Sequence, residues 1–361
     1  MKKEIWTYLE TDGRGELLPT SIELVVRAKV IAAAAEQAEE EKYTICALLA
    51  GADHDALQNA AEKALGAGAD RAVLIEGPEL AVYRAEYYSD AVGELAEKEK
   101  PQMILFERTT DGMDLAPRLA ARLGAGMISD CVDLAAEDGK LLWIRHAFGG
   151  TAAVSASFRE QESTQIISIR PGSFGGMTGR GSEAAGQPDT ERSVPEKDGA
   201  VSLVNYNSAD RAGRAAGERI AAPELVEVLE AAADRGMDPA SARVIVAGGN
   251  GAGPEGFKLI EELAELLHGA VGASRVAVDK GWISHAHLIG QSGITVTPDL
   301  YINCGISGSV QHIVGMRDAK CVVSINKDPK ALIFNVSDYG IVGDLHKVLP
   351  ALIAEIRRHR G

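Results

Sequence analysis

The sequence predicts a two-domain α/β protein, and three observations carry that prediction. Strand-like and helix-like segments alternate over residues 1–172 and again over residues 203–361. Between the two runs the composition changes to Gly, Ser, Pro and charge (GSFGGMTGRGSEAAGQPDTERSVPEKDG, residues 172–199), and all apolar periodicity is lost. The length, 361 residues, suffices for two hydrophobic cores. The expected division is therefore 1–172, a linker or arm at 173–202, and 203–361.

In the first run, apolar segments at 5–9, 44–49, 71–75 and 103–106 read as strands. Helical patterns at 20–40, 55–66, 80–98 and 113–124 separate them. Strands that alternate with helices are parallel and joined by crossovers, which gives a layered α/β domain. In 113–124, Leu115, Leu119, Ala120 and Leu123 share one face at helical period. Shorter runs at 141–146, 151–156 and 165–170 read as an antiparallel addition to that sheet. The second run gives strands at 243–247, 275–278, 300–304 and 321–325, with helices at 254–268 and 307–315. A terminal helical region follows, expected to be divided by Pro350, with Leu345, Val348, Leu349, Leu352, Ile353 and Ile356 on its apolar stripe. Its last residues, Arg357, Arg358, His359 and Arg360, complement the helix dipole.

Composition narrows the function. Charged residues make up 25% and hydrophobic residues 46%, an ordinary globular mixture. A net charge of −15 argues against nucleic acid or an anionic membrane as partner. No apolar run approaches a membrane span, and MKKEIW at the start lacks a signal-peptide core, so the cytoplasm is the expected location. Cys46, Cys131, Cys304 and Cys321 are widely spread without ligand spacing, which argues against zinc, iron–sulfur and disulfide frameworks. His285 and His287 form an HxH with no third ligand in view, so a solvated loop is preferred to a metal site.

The segment LYINCGISGSVQH, residues 300–312, carries the sharpest signal. It reads as a buried strand that breaks at Gly305 and turns into a helix, with Ser307, Gly308 and Ser309 at the helix start. Free backbone N–H groups and the helix dipole there favour an anion. His312 follows as a titratable ring in the same region. Such a phosphate cradle suits a nucleotide-type cofactor, while the plainer alternative is a glycine turn that starts a helix.

Other segments also have two readings. Ser274 and Arg275 can meet a phosphate and an electron-rich ring, or belong to an ordinary surface turn. The loop Gly290–Gln291–Ser292–Gly293 offers an amide and a hydroxyl to a ligand edge, or is simply a turn. Asn326 stands at a strand end, where it can bridge ribose or phosphate or form an Asx turn with the Asp328–Pro329 segment. Asp344 is either a helix cap or a ribose acceptor. Residues 251–256, GAGPEG, formally fit GxGxxG, and Asp279 follows the next expected strand, as in a dinucleotide fold. Pro254, however, removes one N–H from any such cradle. No Ser-His-Asp order, HExxH or nucleophile elbow is present, so the candidates suit holding and tuning a ligand rather than bond cleavage.

Taken together, GASR (272–275), GQSG (290–293), LYINCGISGSVQH (300–312), INKDP (325–329) and DYGIVGDL (338–345) closely resemble the flavin domain of electron transfer flavoprotein α subunits. TTDGMDLAPRLAARLGAGMISDC (109–131) resembles the first α/β domain of the same family. The resemblance implies an adenine nucleotide alpha hydrolase-like first domain. It also implies a second domain that binds FAD on a deoxyhypusine-synthase-like parallel sheet, and a heterodimer with a β subunit. Ser274 would then contact the FAD phosphates and Arg275 would lie by the isoalloxazine, with Gly290, Gln291 and Ser292 bordering its redox edge. Ser307, Gly308, Ser309, Val310 and Gln311 would wrap the cofactor, with His312 beside the pyrimidine carbonyl. Asn326, Asp344 and Leu345 would meet the adenosine end.

The implied function is electron carriage, rather than enzyme catalysis in its own right, between acyl-CoA dehydrogenase-type flavoenzymes of fatty acid β-oxidation and another redox partner. Some members of the family split the electrons of NADH with a second FAD held mainly in the β subunit, and the sequence leaves both modes open. Electron uptake places negative charge near the pyrimidine ring, which a cation or donor from Arg275 or His312 would stabilise. Three positions depart from the family pattern: Asn250 replaces an Arg of a GGRG turn, Ser292 replaces Thr, and Ile294 replaces a frequent Lys. Weaker positive charge at the flavin is the expected consequence. Two rival readings are an NAD-dependent oxidoreductase, resting on 251–256 and Asp279, and a non-redox adenine-nucleotide-binding protein built on the first domain.

Overall fold

The computed structural model describes residues 2–12, 15–39, 42–137, 139–148, 152–159, 163–174, 200–207, 239–240 and 242–360. The chain divides into two units, Met1–Glu227 and Val228–Gly361. Most of the expected arm, residues 175–199, lies outside the described residues.

The first unit begins β1 (Lys2–Tyr8), α1 (Pro19–Glu39), β2 (Thr44–Gly51), α2 (His54–Ala67) and β3 (Arg71–Glu76). It continues α3 (Ala85–Glu99), β4 (Pro101–Glu107) and α4 (Thr110–Leu123). These strands pair in parallel in the order β4-β1-β2-β3. Side chains of a strand alternate between faces, and β1 shows what that does here. Ile5 enters a cluster with Leu24 and Val25 of α1 and Ala61 of α2. Its neighbour Trp6 enters a separate cluster with Val92 of α3 and Leu115 and Leu119 of α4. Both faces are thus covered by helices, which explains why these strands read as continuous apolar runs. Each fully buried Leu, Ile or Val contributes roughly 1.5–3 kcal/mol.

Beyond β4 come β5 (Gly126–Glu137), β6 (Lys140–Ala147), β7 (Ala152–Ala156), β8 (Gln165–Ile169) and β9 (Ala200–Asn205). Among the described residues the sheet order is β7-β6-β5-β8-β4-β1-β2-β3-β9. Three sequence expectations change here. The segment now seen as β8 runs parallel to both β4 and β5, so only β6 and β7 form an antiparallel addition. All five residues of β8 are buried, as a central strand requires, and burial carries no information on strand direction. The strand β5 was not predicted, because Asp130 interrupts its alternation with φ 61° and a register shift between Ile128 and Cys131. Finally, β9 spans the expected boundary at 202/203 yet pairs with β3, so it completes the first sheet.

The second unit comprises β10 (Val244–Gly248), α5 (Gly253–Leu266), β11 (Ala270–Ala273), α6 (Arg275–Asp279) and β12 (Leu300–Cys304). It closes with α7 (Val310–Met316), β13 (Val322–Asn326), β14 (Tyr339–Val342) and α8 (Leu345–Arg360). Its sheet is wholly parallel, in the order β11-β10-β12-β13-β14. Val246 packs with Phe257, Ile260 and Leu349 on one face, whereas Ile245 and Ala247 pack with Tyr301, Met316 and Ile333 on the other. Residues 275–278 were expected as a strand but form α6, and the strand is the preceding AVGA. The β-branched content of RVAV suggested a strand, but Ser274 turns the chain in an extended conformation and a helix follows. Pro350 does not divide α8, which continues to Arg360. Its missing N–H leaves without a donor a carbonyl at exposed His346, where water can serve.

Candidate functional site

In the second unit the chain runs from β10 through α5 to β11 on one side, then returns to β12 on the other side of β10. Loops leaving the C-terminal ends of two such strands diverge and leave a crevice, the ordinary ligand position of open parallel sheets. A cavity of about 700 Å³ lies there. Asn250 and Gly251 after β10, Ser274 and Arg275 after β11, residues 305–307 and Ser309 after β12, and residues 326–328 after β13 all line it. The loop between α6 and β12 adds Leu288, Ile289, Gly290, Gln291 and Ser292, and α7 adds Gln311 and His312.

Of the sequence-derived candidates, Ser274, Arg275, Gly290, Gln291, Ser292, Ser307, Ser309, Gln311, His312 and Asn326 therefore converge on one cavity. Gly308 shapes it from behind. With φ 85°, an added Cβ would stand 2.1 Å from the Ile333 backbone N. Only glycine allows the 305–309 loop to pass so close to that segment. Val310 is 56% exposed and lies outside the cavity lining. Asp344 and Leu345 are also outside the lining. Asp344 Oδ1 accepts from the His346 N–H at 3.0 Å, as a helix cap does, and Leu345 is buried in the core.

Several side chains do something more specific than the sequence conveyed. Arg275 donates from Nε to Asp279 Oδ1 at 2.7 Å and from an Nη to Ser292 Oγ at 3.3 Å. Asn326 donates to the Ile306 carbonyl at 2.8 Å and accepts the Asp328 N–H at 3.0 Å, so it is both a strut under the 305–306 turn and an Asx turn. Gln291 N–H donates to the Gln311 carbonyl at 2.7 Å, which ties the GQSG loop to α7.

His312 requires a correction. Its Nδ1 lies 3.0 Å from the Ile289 carbonyl, which can only accept, so Nδ1 carries the proton. Its Nε2 lies 3.2 Å from Tyr301 OH and therefore accepts. Burial holds the Tyr301 phenol well above its usual range, so it remains a donor. Burial also pushes the imidazole down to about 4, against the upward pull of the Ile289 carbonyl. The ring is consequently neutral near pH 7 and is not the cation that the sequence allowed. Burial likewise pushes the Cys304 thiol up to about 12, so that cysteine is a small buried hydrophobe.

The structure does not assemble the dinucleotide fingerprint. Gly251 N–H donates to the Gly305 carbonyl at 2.9 Å, and a Cβ on Gly305 would come within 2.7 Å of the Gly251 carbonyl carbon. These glycines permit one turn to lie on the other. Asp279, the expected ribose acid, is held by Arg275 and is not a lining residue. The HxH is not the solvated loop that the sequence suggested but a short helical turn over His285–His287. His287 is buried with Nδ1 2.7 Å from the Val271 carbonyl, and no group of three metal-binding side chains occurs among the described residues.

Sequence reasoning overlooked Lys280, Val276, Leu288, Ile289 and Ala331. The apolar members carry no chemical signal at sequence level. Lys280 looks like any surface lysine until its Nζ is seen 2.6 Å from Asn250 Oδ1.

A second cavity, of about 790 Å³, lies in the first unit at the ends of β1, β2 and β3. Among the described residues, Glu10, Asp12, Asp53, Asp55, Glu76 and Asp111 line it together with His54, which is paired with Glu76 at 2.8 Å. Burial and the nearby Asp111 push Glu10 up to about 7 although its bond to Thr109 pulls the other way. The carboxylates among its described lining residues disfavour a phosphate there.

Comparison with known proteins identifies the family. The profile of the electron transfer flavoprotein domain matches residues 5–197, and that of the electron transfer flavoprotein FAD-binding domain matches residues 239–317. The electron transfer flavoprotein subunit alpha of Thermoanaerobacterium thermosaccharolyticum is 38% identical over 360 residues, covering 99% of this chain and 98% of its own. The subunit alpha of Bacillus subtilis is 40% identical over 306 residues, covering 84% of this chain and 85% of its own. Protein FixB of Clostridium saccharobutylicum is 36% identical over 358 residues, covering 98% and 96%. With both domains matched and near-complete relatives above a third identity, this chain belongs to the electron transfer flavoprotein α-subunit family, whose function is electron transfer and whose cofactor is FAD.

Proposed function

We propose that this chain holds FAD in the cavity of its second unit, pairs with a family β subunit, and carries electrons in the cytoplasm. The electrons would pass between an acyl-CoA dehydrogenase-type flavoenzyme and a second redox partner. The observation that carries the cofactor site is charge. Arg275, Lys280 and Lys327 line the cavity against a single carboxylate, Asp328, in a chain of net charge −15. A cationic cleft on an acidic protein suits an anionic ligand. Its volume, about 700 Å³, lies within the roughly 300–1,000 Å³ of ordinary ligand pockets.

Bound FAD supplies the one- and two-electron chemistry, and the chain supplies position and electrostatics. Ser274, Ser307 and Ser309 are assigned hydroxyl donation to the diphosphate. Neither Ser274 nor Ser309 uses its side chain to cap the helix it precedes. Arg275, Gly290, Gln291 and Ser292 are assigned to the isoalloxazine wall, with the hydrogen bond between Arg275 and Ser292 orienting both. His312, neutral and buried, contributes a fixed dipole there, while Gly308 and Gln311 shape the wrap around the cofactor and Val310, outside the lining, enters only through its backbone at the start of α7. Asn326 is assigned to the adenosine side, with exposed Asp344 extending that contact beyond the cavity and the adjoining Leu345 anchoring it from the core. No helix among the described residues is long and apolar enough to cross a membrane.

The test is to co-express the full chain with a family β subunit and record the visible spectrum of the purified complex. A yellow heterodimer that releases FAD on denaturation is expected, and a colourless heterodimer would overturn the cofactor reading. Mixing the complex with a reduced acyl-CoA dehydrogenase tests the partner class. Bleaching of the bound flavin is expected, and an unchanged spectrum would remove that partner.

A further inference from the structure

Three cations line the cavity, but their charges are not equally available. The guanidinium of Arg275 is engaged by the Asp279 carboxylate at 2.7 Å, so its charge is largely compensated before any ligand arrives. Lys280 differs. Its Nζ meets the neutral Asn250 Oδ1 at 2.6 Å and stands over the Trp282 ring, 4.8 Å from the centroid. Neither partner carries a formal charge, and no carboxylate within 4.0 Å of Lys280 occurs among the described residues. The two partners come from different elements, Asn250 from the turn after β10 and Trp282 from the loop after α6. Trp282 is itself fixed against Phe257 of α5, with ring centroids 6.3 Å apart. A flexible lysine is thereby held in one place with its positive charge intact. An ammonium has three N–H donors, and Asn250 occupies one of them.

We infer that Lys280 is a cofactor-directed cation, positioned by Asn250 and Trp282, that supplies uncompensated positive charge to bound FAD. This rests on the reading that the cavity holds FAD. The chemistry that would recognise it is negative charge on the dinucleotide. That charge has two sources, the permanent diphosphate and the charge that arrives with electrons on the ring system. A diphosphate contact acts on oxidised and reduced FAD alike and changes affinity. A contact to the reduced ring favours the reduced form and raises the midpoint potential.

The experiment uses the full heterodimer, stripped of FAD and titrated with it. Lys280→Met removes the charge while keeping an unbranched side chain, and Lys280→Arg restores the charge. Asn250→Asp leaves Lys280 in place but sets a carboxylate against it, neutralising the ammonium as Asp279 does Arg275. The lysine is exposed and lies at the C-terminal end of α6, so none of these changes disturbs the core. Lys280→Met and Asn250→Asp are each expected to weaken FAD binding roughly tenfold, to lower the potential of the first electron, or both. Lys280→Arg should recover most of the loss. A tenfold change in preference for the reduced form corresponds to about 59 mV for one electron. Weaker binding of oxidised FAD with less salt dependence assigns the diphosphate, and a lowered potential at unchanged affinity assigns the ring. If Lys280→Met and Asn250→Asp leave both affinity and potential unchanged, the inference fails while the cofactor reading stands. If the wild-type complex takes up no FAD, both fail.

Discussion

Tyr301 and His312 fix each other's protonation: the phenol donates to imidazole Nε2 at 3.2 Å, which leaves Nδ1–H to donate to the Ile289 carbonyl at 3.0 Å. Folding therefore holds His312 neutral, with a pKa near 4 against an ordinary value of 6.5. The unfolded chain takes up a proton below pH 6.5 that the folded chain refuses until about pH 4. Stability from this group is complete above pH 6.5 and is lost as pH falls toward 4. The loss amounts to roughly 3 kcal/mol at 1.36 kcal/mol per pKa unit. Urea midpoints recorded from pH 7 to 4 should fall accordingly. In Tyr301→Phe the buried Nε2 loses its donor, which should cost about 1 kcal/mol at pH 7 and raise the imidazole pKa in an NMR titration.

Glu10 titrates with the opposite sign. Its folded pKa is raised from 4.5 to about 7, so between those values the unfolded chain loses a proton that the folded chain keeps. Stability falls as pH rises through this window, by an amount of order 3 kcal/mol. Glu10→Gln should abolish that slope and stabilise the first unit above pH 7, while the oxygen that accepts from Thr109 is retained. Thermal melts at pH 5 and pH 8 compare the two proteins, and parallel curves would contradict the assignment.

Gly308 is a strict steric requirement. Gly308→Ala would place Cβ 2.1 Å from the Ile333 N and 2.7 Å from the Leu332 carbonyl carbon, at φ 85°. Both neighbours are backbone and cannot rotate away. A loss of at least about 2 kcal/mol is expected, together with FAD release, because the loop that lines the cavity must move. Calorimetry and the flavin content of the purified complex measure the two effects.

Asp279 restrains the charge of Arg275. Asp279→Asn should leave the helix largely intact, since this pair is more than half exposed and such pairs contribute at most about 1 kcal/mol. Released from its carboxylate, Arg275 should bind FAD two- to fivefold more tightly by the same estimate. Fluorescence titration of the stripped complex gives the ratio, and weaker binding would show that Asp279 positions Arg275 rather than neutralising it.

Much of the site was legible along the chain because its parts are loop segments that follow strands. The serines of 307–309, the GQSG loop and the Ser274–Arg275 turn were recognisable as ligand chemistry, and each lines the cavity. Segments such as 5–9 and 44–49 were legible as strands because their apolar runs need cover on both faces. The direction of β8 and the strand β5 were not, since the hydrophobic pattern is blind to strand direction and Asp130 interrupts the alternation. Residues 275–278 were misread because β-branched side chains favour a strand only on average, and here the chain turns at Ser274.

By itself, then, the sequence determined two α/β units, the loops that carry the polar groups, and the family resemblance those groups spell out. Tertiary structure alone decided which of those groups act. Lys280 and Asn250 are 30 positions apart and meet only because the loops after β10 and α6 converge beside the cavity. His312 is neutral because burial and two partners, Tyr301 and Ile289, remove the reason to hold a proton. Charge and protonation depend on distance and dielectric, and both are properties of the folded surroundings rather than of residue order.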